Sequence, residues 1–329
     1  MIASALSTEM PKEFQAALPI EKVEKRLTMR VPGSTANLGP AFDTVGLALK
    51  VHSWLDFCVL ETADDSVPLF RQCGAIAKQL PADKSNLIYK ILESTVKNKG
   101  LLERIRVSVY SDIPLERGMG SSGSVIIGTV YAAAVLNTER PATEALLAEA
   151  SAFESHIDNL SASLLGGLVV SHKSETELIT TALKWPADWK LIVLVPSYAV
   201  STAKSRSVLP ATYERAVVVE NLQRVALLTA AICREDPALF QRALHDLIHE
   251  PYRLNLIPEL GDLREALRGK PVLGSALSGA GSAMLVIVES EHYETILQFL
   301  KQWAPQQKAT ITVIETSVDT DGLTIISDK

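Results

Sequence analysis

Cysteine is scarce. Cys58, Cys73 and Cys233 are the only three in 329 residues, odd in number, far apart and in no Cys-x-x-Cys spacing. That excludes a disulfide framework and a cysteine zinc site, and it fits reduced thiols in a cytosolic compartment. A basic run is also missing. Thirty-two Lys and Arg against 38 Asp and Glu leave a net charge of −6, so a polyanion finds no footprint and nucleic-acid binding is not expected. No apolar run reaches the ~18 residues of a membrane span, so no membrane partner is expected either. Residues 1–25 lack the basic start, apolar centre and small-residue cleavage site of a signal peptide. Their charges (Glu9, Lys12, Glu13, Glu21, Lys22, Glu24, Lys25) describe a solvated, partly helical extension. Tandem repeats and low-complexity tracts are absent too.

What is present is apolar material for a large core: 47% of the residues are hydrophobic, and the length favours two domains over one. The chain is organised around Pro114–Leu136. Before it, Arg104–Val109 alternates polar and apolar residues, as a half-buried strand does. After it comes a small-residue and aliphatic run without proline or charge, long enough for a buried helix. Between them lies Gly118-Met119-Gly120-Ser121-Ser122-Gly123-Ser124. Glycines let backbone amides approach an anion, serines cap the helix or turn a hydroxyl to a phosphate or its metal, and the positive end of the helix dipole faces the loop. The chemistry is that of a phosphate cradle. It is not a Walker A loop, because no Gly-Lys-Ser/Thr follows.

A second loop precedes it. Leu27, Met29 and Val31 alternate with Arg26, Thr28 and Arg30 until Pro32-Gly33, which is expected to stop the strand. Small residues follow, with Asn37 and Asp43 bracketing a short segment where an amide and a carboxylate can grip a polar substrate. A further alternating strand is expected from about Leu49 to Leu60.

These residues carry a resemblance. The run from Val31 to Leu49, Val-Pro-Gly-Ser-Thr-Ala-Asn-Leu-Gly-Pro-Ala-Phe-Asp-Thr-Val-Gly-Leu-Ala-Leu, resembles the N-terminal signature of homoserine kinases, members of the GHMP kinase superfamily. The cradle is similar to the second motif of that superfamily, usually Gly-Leu-Gly-Ser-Ser-Ala-Ala, with Gly123 and Ser124 in place of two alanines. Glu154-Ser155-His156-Ile157-Asp158-Asn159, followed by Leu165-Gly166-Gly167, resembles a Glu-Gly-His-Pro-Asp-Asn element with its Leu-Gly-Gly. Ser201-Thr202, Arg206 and Leu209-Pro210 resemble Ser-Thr-x-x-x-Arg-x-x-Leu-Pro. His249-Glu250-Pro251-Tyr252-Arg253 matches His-x-Pro-Tyr-Arg, and Ser278-Gly279-Ala280-Gly281-Ser282 resembles the third motif, with Ser282 where proline is usual.

The resemblance, over residues about 27–288, implies an α+β, two-domain GHMP kinase fold. An ATP-binding domain over 26–175 would follow the extension 1–25, and a ferredoxin-like α+β domain would occupy 176–329. The implied reaction moves the ATP γ-phosphoryl group to the side-chain hydroxyl of L-homoserine, with Mg²⁺ as cofactor and an amino acid and ATP as partners. Pro114 and Gly118–Ser124 would hold ATP, with Asn86 near the adenine, although Asn86 also reads as a helix N-cap. Mg²⁺ takes hard oxygen ligands, for which Glu154 is the candidate, with Ser121 or Ser122, and Glu149 as the alternative. Asn37, Asp43, His156, Asp158, Thr202 and Gly279 would line the substrate site, Asp158 facing the ammonium group. Thr202 and Arg206, four apart, share a helix face, and Arg206 and Arg253 suit the amino-acid carboxylate. Asp43, Asp158 and Asn159 form the catalytic set, without an assigned base, because positioning and charge neutralisation carry phosphoryl transfer. A kinase for another small alcohol such as L-threonine, and a catalytically silent binding protein, stand as alternatives. A homodimer is left open.

Overall fold

The computed structural model describes residues 9–154 and 156–328, and its strands form two sheets. The first contains β1 (Val23–Ala36), β2 (Val45–Leu60), β3 (Phe70–Cys73), β4 (Ile105–Ser111), β5 (Leu168–Lys173) and β6 (Leu178–Leu183). The second contains β7 (Trp189–Pro196), β8 (Gly274–Leu277), β9 (Met284–Glu289) and β10 (Ile311–Thr316). The chain then returns as β11 (Thr324–Asp328) to the open edge of β1 in the first sheet, with Leu27 opposite Asp328.

In the first sheet the order is β11-β1-β2-β4-β3, with β5 on the near end of β2 and β6 beyond it. β1 does not stop at Pro32-Gly33 as the sequence suggests. The register against β2 jumps from Pro32↔His52 to Gly33↔Leu49, a bulge that absorbs the residue with no N–H to donate. The second sheet is antiparallel in the order β10-β7-β9-β8. Read along the chain it is β-α-β-β-α-β, the ferredoxin-like arrangement. The expected division at 175/176 falls inside the β5–β6 hairpin of the first sheet, and β11 lies beyond it, so the two sheets do not separate there.

Period-two alternation sorts the strands into layers. Leu27, Met29 and Val31 of β1 and Leu55, Phe57 and Val59 of β2 pack against helices Leu87–Thr95, Ser121–Leu136 and Ile157–Leu165. Leu191 and Val193 of β7 join Leu47, Leu49 and Val51 of β2 in a core between the sheets. Ile192 and Leu194, pointing the other way, pack under helices Glu259–Ala266 and Tyr293–Trp303.

The N-terminal segment is less solvated than its charges imply. Helix Lys12–Ala17 lays Phe14, 0% exposed, on Trp54 at 6.3 Å, and Arg71 donates to the carbonyls of Ala17 and Pro19. Helix Arg215–Arg234 is long and apolar enough to cross a membrane by length and composition, although Glu220 and Arg224 interrupt it as an ion pair. It buries Leu228, Ala231 and Ile232 in the core between the sheets. The three cysteines are free thiols.

Candidate active site

The cradle is built from two left-handed glycines. Gly118 has φ +73, and a Cβ there would meet the Ser278 carbonyl at 2.0 Å; Gly120 has φ +70, and a Cβ would meet Ser34 Oγ at 2.3 Å. Only glycine adopts this backbone while Ser278 donates to the Gly118 carbonyl at 2.6 Å. Gly120 is the N-cap of helix Ser121–Leu136 and supplies no side-chain acceptor. The first-turn amides therefore stay open to an anion, with the dipole behind them. Ser121, Ser122, Gly123 and Pro114 line a cleft of about 1030 Å³. Two members of the predicted set do not meet it as expected. Ser124 is 0% exposed, bonded through its Oγ to Ser53 Oγ and the Ser121 carbonyl, because the fourth helical residue turns inward. Met119 buries its side chain in the core between the sheets, so only its backbone faces the cleft.

The Asn37–Asp43 loop forms another wall. Asn37, Leu38 and Asp43 all have positive φ, strain of the kind that collects at functional sites. Asn37 holds the loop closed. Its Nδ2 donates to the Gly279 carbonyl at 2.9 Å and its Oδ1 accepts from the Asp43 amide at 3.0 Å. One bond at each end fixes the amide, which still lines the cleft with a second N–H and a second lone pair unused by these two bonds. Asp43 pairs with Arg206, one turn after Thr202 in helix Thr202–Ser207. Phe42, which sequence reasoning passed over, is the floor under both arginines: its ring centroid is 5.1 Å from the Arg206 guanidinium carbon and 5.3 Å from that of Arg253. Its place beside Asp43 in a loop of small residues was the available signal. Among the described residues Arg206 Nε is buried without a partner.

Glu154 and helix Ile157–Leu165 supply the third wall. Burial pushes the Glu154 carboxyl up, while a hydrogen bond from Ser122 and the charge of Arg206 pull it down. A half-buried carboxylate joined to a cradle hydroxyl is a donor set that fits Mg²⁺. Among the described residues no group of three or more His, Cys, Asp or Glu could hold a metal ion by itself. Glu149, the alternative, is exposed and outside the cleft. Asp158 is 2% exposed, and its Oδ1 accepts the Asn159 amide at 2.7 Å. Burial first, then the charge of Asp43, pushes its carboxyl up to about 7. Asn159 is anchored by Ser34 Oγ at 2.9 Å. Burial, then Arg206, lowers the pKa of His156, and burial, then Arg206, lowers that of Arg253 to about 10. Ser155, which stands where the resemblance has glycine, lies outside the described residues.

His156, Asp158, Asn159, Thr202, Arg206, Arg253 and Gly279 all line the same cleft as the cradle. Asn86 lines it too, as do Ile76, Leu80, Pro81 and Leu87. Its side chain is largely engaged, accepting from the Ile88 amide as a helix cap and donating to the Pro81 carbonyl. The apolar wall around it was not legible as a motif.

The family described as GHMP kinases N terminal domain matches residues 86–167, and GHMP kinases C terminal matches 228–306. A homoserine kinase of Bacillus velezensis is 36% identical over 301 residues, 89% of this chain and 94% of that protein. One of Desulfitobacterium hafniense is 31% identical, covering 91% and 99%. The crystal structure of homoserine kinase from Cytophaga hutchinsonii superposes with a TM-score of 0.80 over 94% of this chain and 100% of that one, at 24% identity, and shares the fold. The chain belongs to the homoserine kinase family of the GHMP kinases and is a phosphotransferase with an alcohol group as acceptor.

Proposed function

We propose that this enzyme transfers the γ-phosphoryl group of ATP to the side-chain hydroxyl of L-homoserine, releasing ADP and O-phospho-L-homoserine. The observation that carries it is the polarity of one cleft. Open helix amides stand on one wall, and two guanidiniums over Phe42 stand on another. The first suits the triphosphate; the second suits the carboxylate of an amino acid, which a simple sugar or mevalonate does not present in company with an ammonium. Asp158 and Asp43 line the same cleft and offer carboxylates to that ammonium.

The work of the protein is positioning and charge. The cradle amides and the hydroxyls of Ser121 and Ser122 hold the phosphates, and Arg206 and Arg253 fix the acceptor by its carboxylate. Glu154 with Ser122 would hold Mg²⁺, which when bound neutralises phosphate charge. As the acceptor oxygen bonds to phosphorus and the bond to the ADP oxygen breaks, the hydroxyl proton leaves. Asp43 and Asp158 are the carboxylate candidates in this cleft to take it. Asn159, locked by Ser34 and Asp158, sits against the cradle helix.

An ADP-release assay with Mg-ATP and equal concentrations of L-homoserine, L-threonine, L-serine and mevalonate tests this. Clear preference for L-homoserine is expected. Preference for another alcohol would keep the kinase and discard this acceptor, and silence with all four on folded protein would overturn the catalytic reading.

A further inference from the structure

The His-x-Pro-Tyr-Arg element contains a histidine that the reaction does not consume. We propose that His249 is a positioning residue, held between Arg253 and the Gly39 carbonyl, that aims the Arg253 guanidinium at the acceptor and ties that aim to the Phe42–Asp43 loop. This rests on the acceptor reading above for the meaning of the aim, though not for the geometry.

His249 is 0% exposed. Its Nδ1 lies 3.0 Å from Arg253 Nη1 and its Nε2 lies 2.8 Å from the Gly39 carbonyl oxygen. A guanidinium only donates and a carbonyl only accepts. The ring is therefore neutral, with its proton on Nε2 and a bare Nδ1 accepting from the arginine. Burial favours that neutral form, against the opposing pull of Asp246 and Glu250. Asp246 is already occupied: its Oδ2 accepts the amides of His249 at 2.8 Å and Glu250 at 2.7 Å, and it stands 3.7 Å from Nε2. Arg253 makes further bonds to the carbonyls of Ser205 and Gly279, both at 3.2 Å, from Nε and Nη1. Among the described residues Nη2 has no protein partner and is the arm left for a carboxylate oxygen. The ring face completes the device. His249 stacks on Phe42 at 5.0 Å and 23°, and Phe42 lies beneath both guanidiniums. One imidazole thus joins the arginine four residues on to a backbone carbonyl and an aromatic floor supplied by one loop some 210 residues away.

A purely structural histidine would change stability and leave substrate selectivity alone. The two amide variants separate these roles, because Asn places an oxygen near the position of Nδ1 while Gln reaches the position of Nε2. On the full chain, His249→Gln keeps a donor for Gly39 and strips Arg253 of its acceptor. It should raise the KM for L-homoserine roughly tenfold, the scale of a lost bond to a charged group, with the ATP KM within about twofold. His249→Asn should keep the L-homoserine KM within about threefold while lowering the Tm. Equal effects of the two variants, the reverse ranking, or a parallel rise in the ATP KM would overturn the proposal. Nitrogen NMR of the unmodified chain with ¹⁵N-histidine judges it even if neither variant folds. His249 should show a protonated Nε2 and a bare Nδ1 at neutral pH. A ring protonated at Nδ1, or charged at neutral pH, refutes it. If the wild-type enzyme ignores L-homoserine, the acceptor reading fails on that assay while the NMR result still decides the role of His249.

Discussion

Asp158 gives the sharpest test of how the site stores free energy. Its carboxyl titrates near 7, whereas the ordinary value is 3.8. Between those limits the unfolded chain has shed its proton and the native one has not, so stability falls as pH rises. The penalty is absent below about pH 3.8 and complete above about pH 7. At 1.36 kcal/mol per pH unit it amounts to about 4 kcal/mol at pH 8 and about 1.5 kcal/mol at pH 5. Asp158→Asn keeps an oxygen for the Asn159 amide and cannot ionise, so it should remove the penalty. With an unfolding entropy of about 0.7 kcal/mol/K for a chain this long, the Tm should rise by about 6 °C at pH 8 and about 2 °C at pH 5. Calorimetry of both proteins in metal-free buffer at the two pH values measures this, since a bound cation would offset the repulsion from Asp43 and Glu154. Turnover should fall at least about 100-fold in the same variant. A Tm gain equal at the two pH values, or a loss at pH 8, would refute the reasoning, because it would mean that burial does not hold this carboxyl neutral.

Glu154→Ala should abolish turnover and leave the Tm near that of the parent, because it removes a carboxylate that burial already disfavours; near-normal turnover would move the metal elsewhere. Arg206→Met should raise the KM for the amino acid by roughly 10–100-fold at constant ATP KM, the range for one charged hydrogen bond. Movement of the ATP KM instead would displace Arg206 from the acceptor wall. Gly123→Ala places a methyl 3.4 Å from the Asn159 Cβ, an ordinary contact. Helix propensity should then add about 0.5–1 kcal/mol, near 1 °C in Tm, with activity within about twofold. A drop in Tm would show that the glycine is needed there for its backbone.

The motifs were legible because local sequence dictates them. Two glycines before a helix make a cradle wherever it stands, and Thr202 and Arg206 share a face once they are helical. Sidedness and distant partners were not legible. Ser124 looks like Ser121 and Ser122 in one dimension, and only the helical turn sends it inward to Ser53. Asn37 reads as a binding amide, and nothing in the local sequence shows that Gly279, 242 residues away, takes one of its N–H groups. Pro32-Gly33 reads as a stop, and a bulge against β2 turns it into a continuation. Phe14 sits among charges and still buries itself on Trp54, because Met10, Ala17 and Leu18 pack beside it and Arg71 holds the carbonyls of Ala17 and Pro19. The strand Thr324–Asp328 went unnoticed although its β-branched residues were the signal, since five residues make a weak pattern.

That last strand sets the order in which the molecule can be completed during synthesis. β1 emerges first, yet its outer neighbour follows about 300 residues later, at about 5–20 residues per second. For roughly 15–60 s the nascent chain carries an unpaired strand edge that invites pairing with another chain. The return also brings Asp319 to His52 at 2.8 Å and Asp321 to Arg30 at 3.0 Å, so the closing segment carries its own fasteners. A fragment ending at the nominal domain boundary would keep that edge open indefinitely, and the nucleotide-binding half should prove unable to stand by itself.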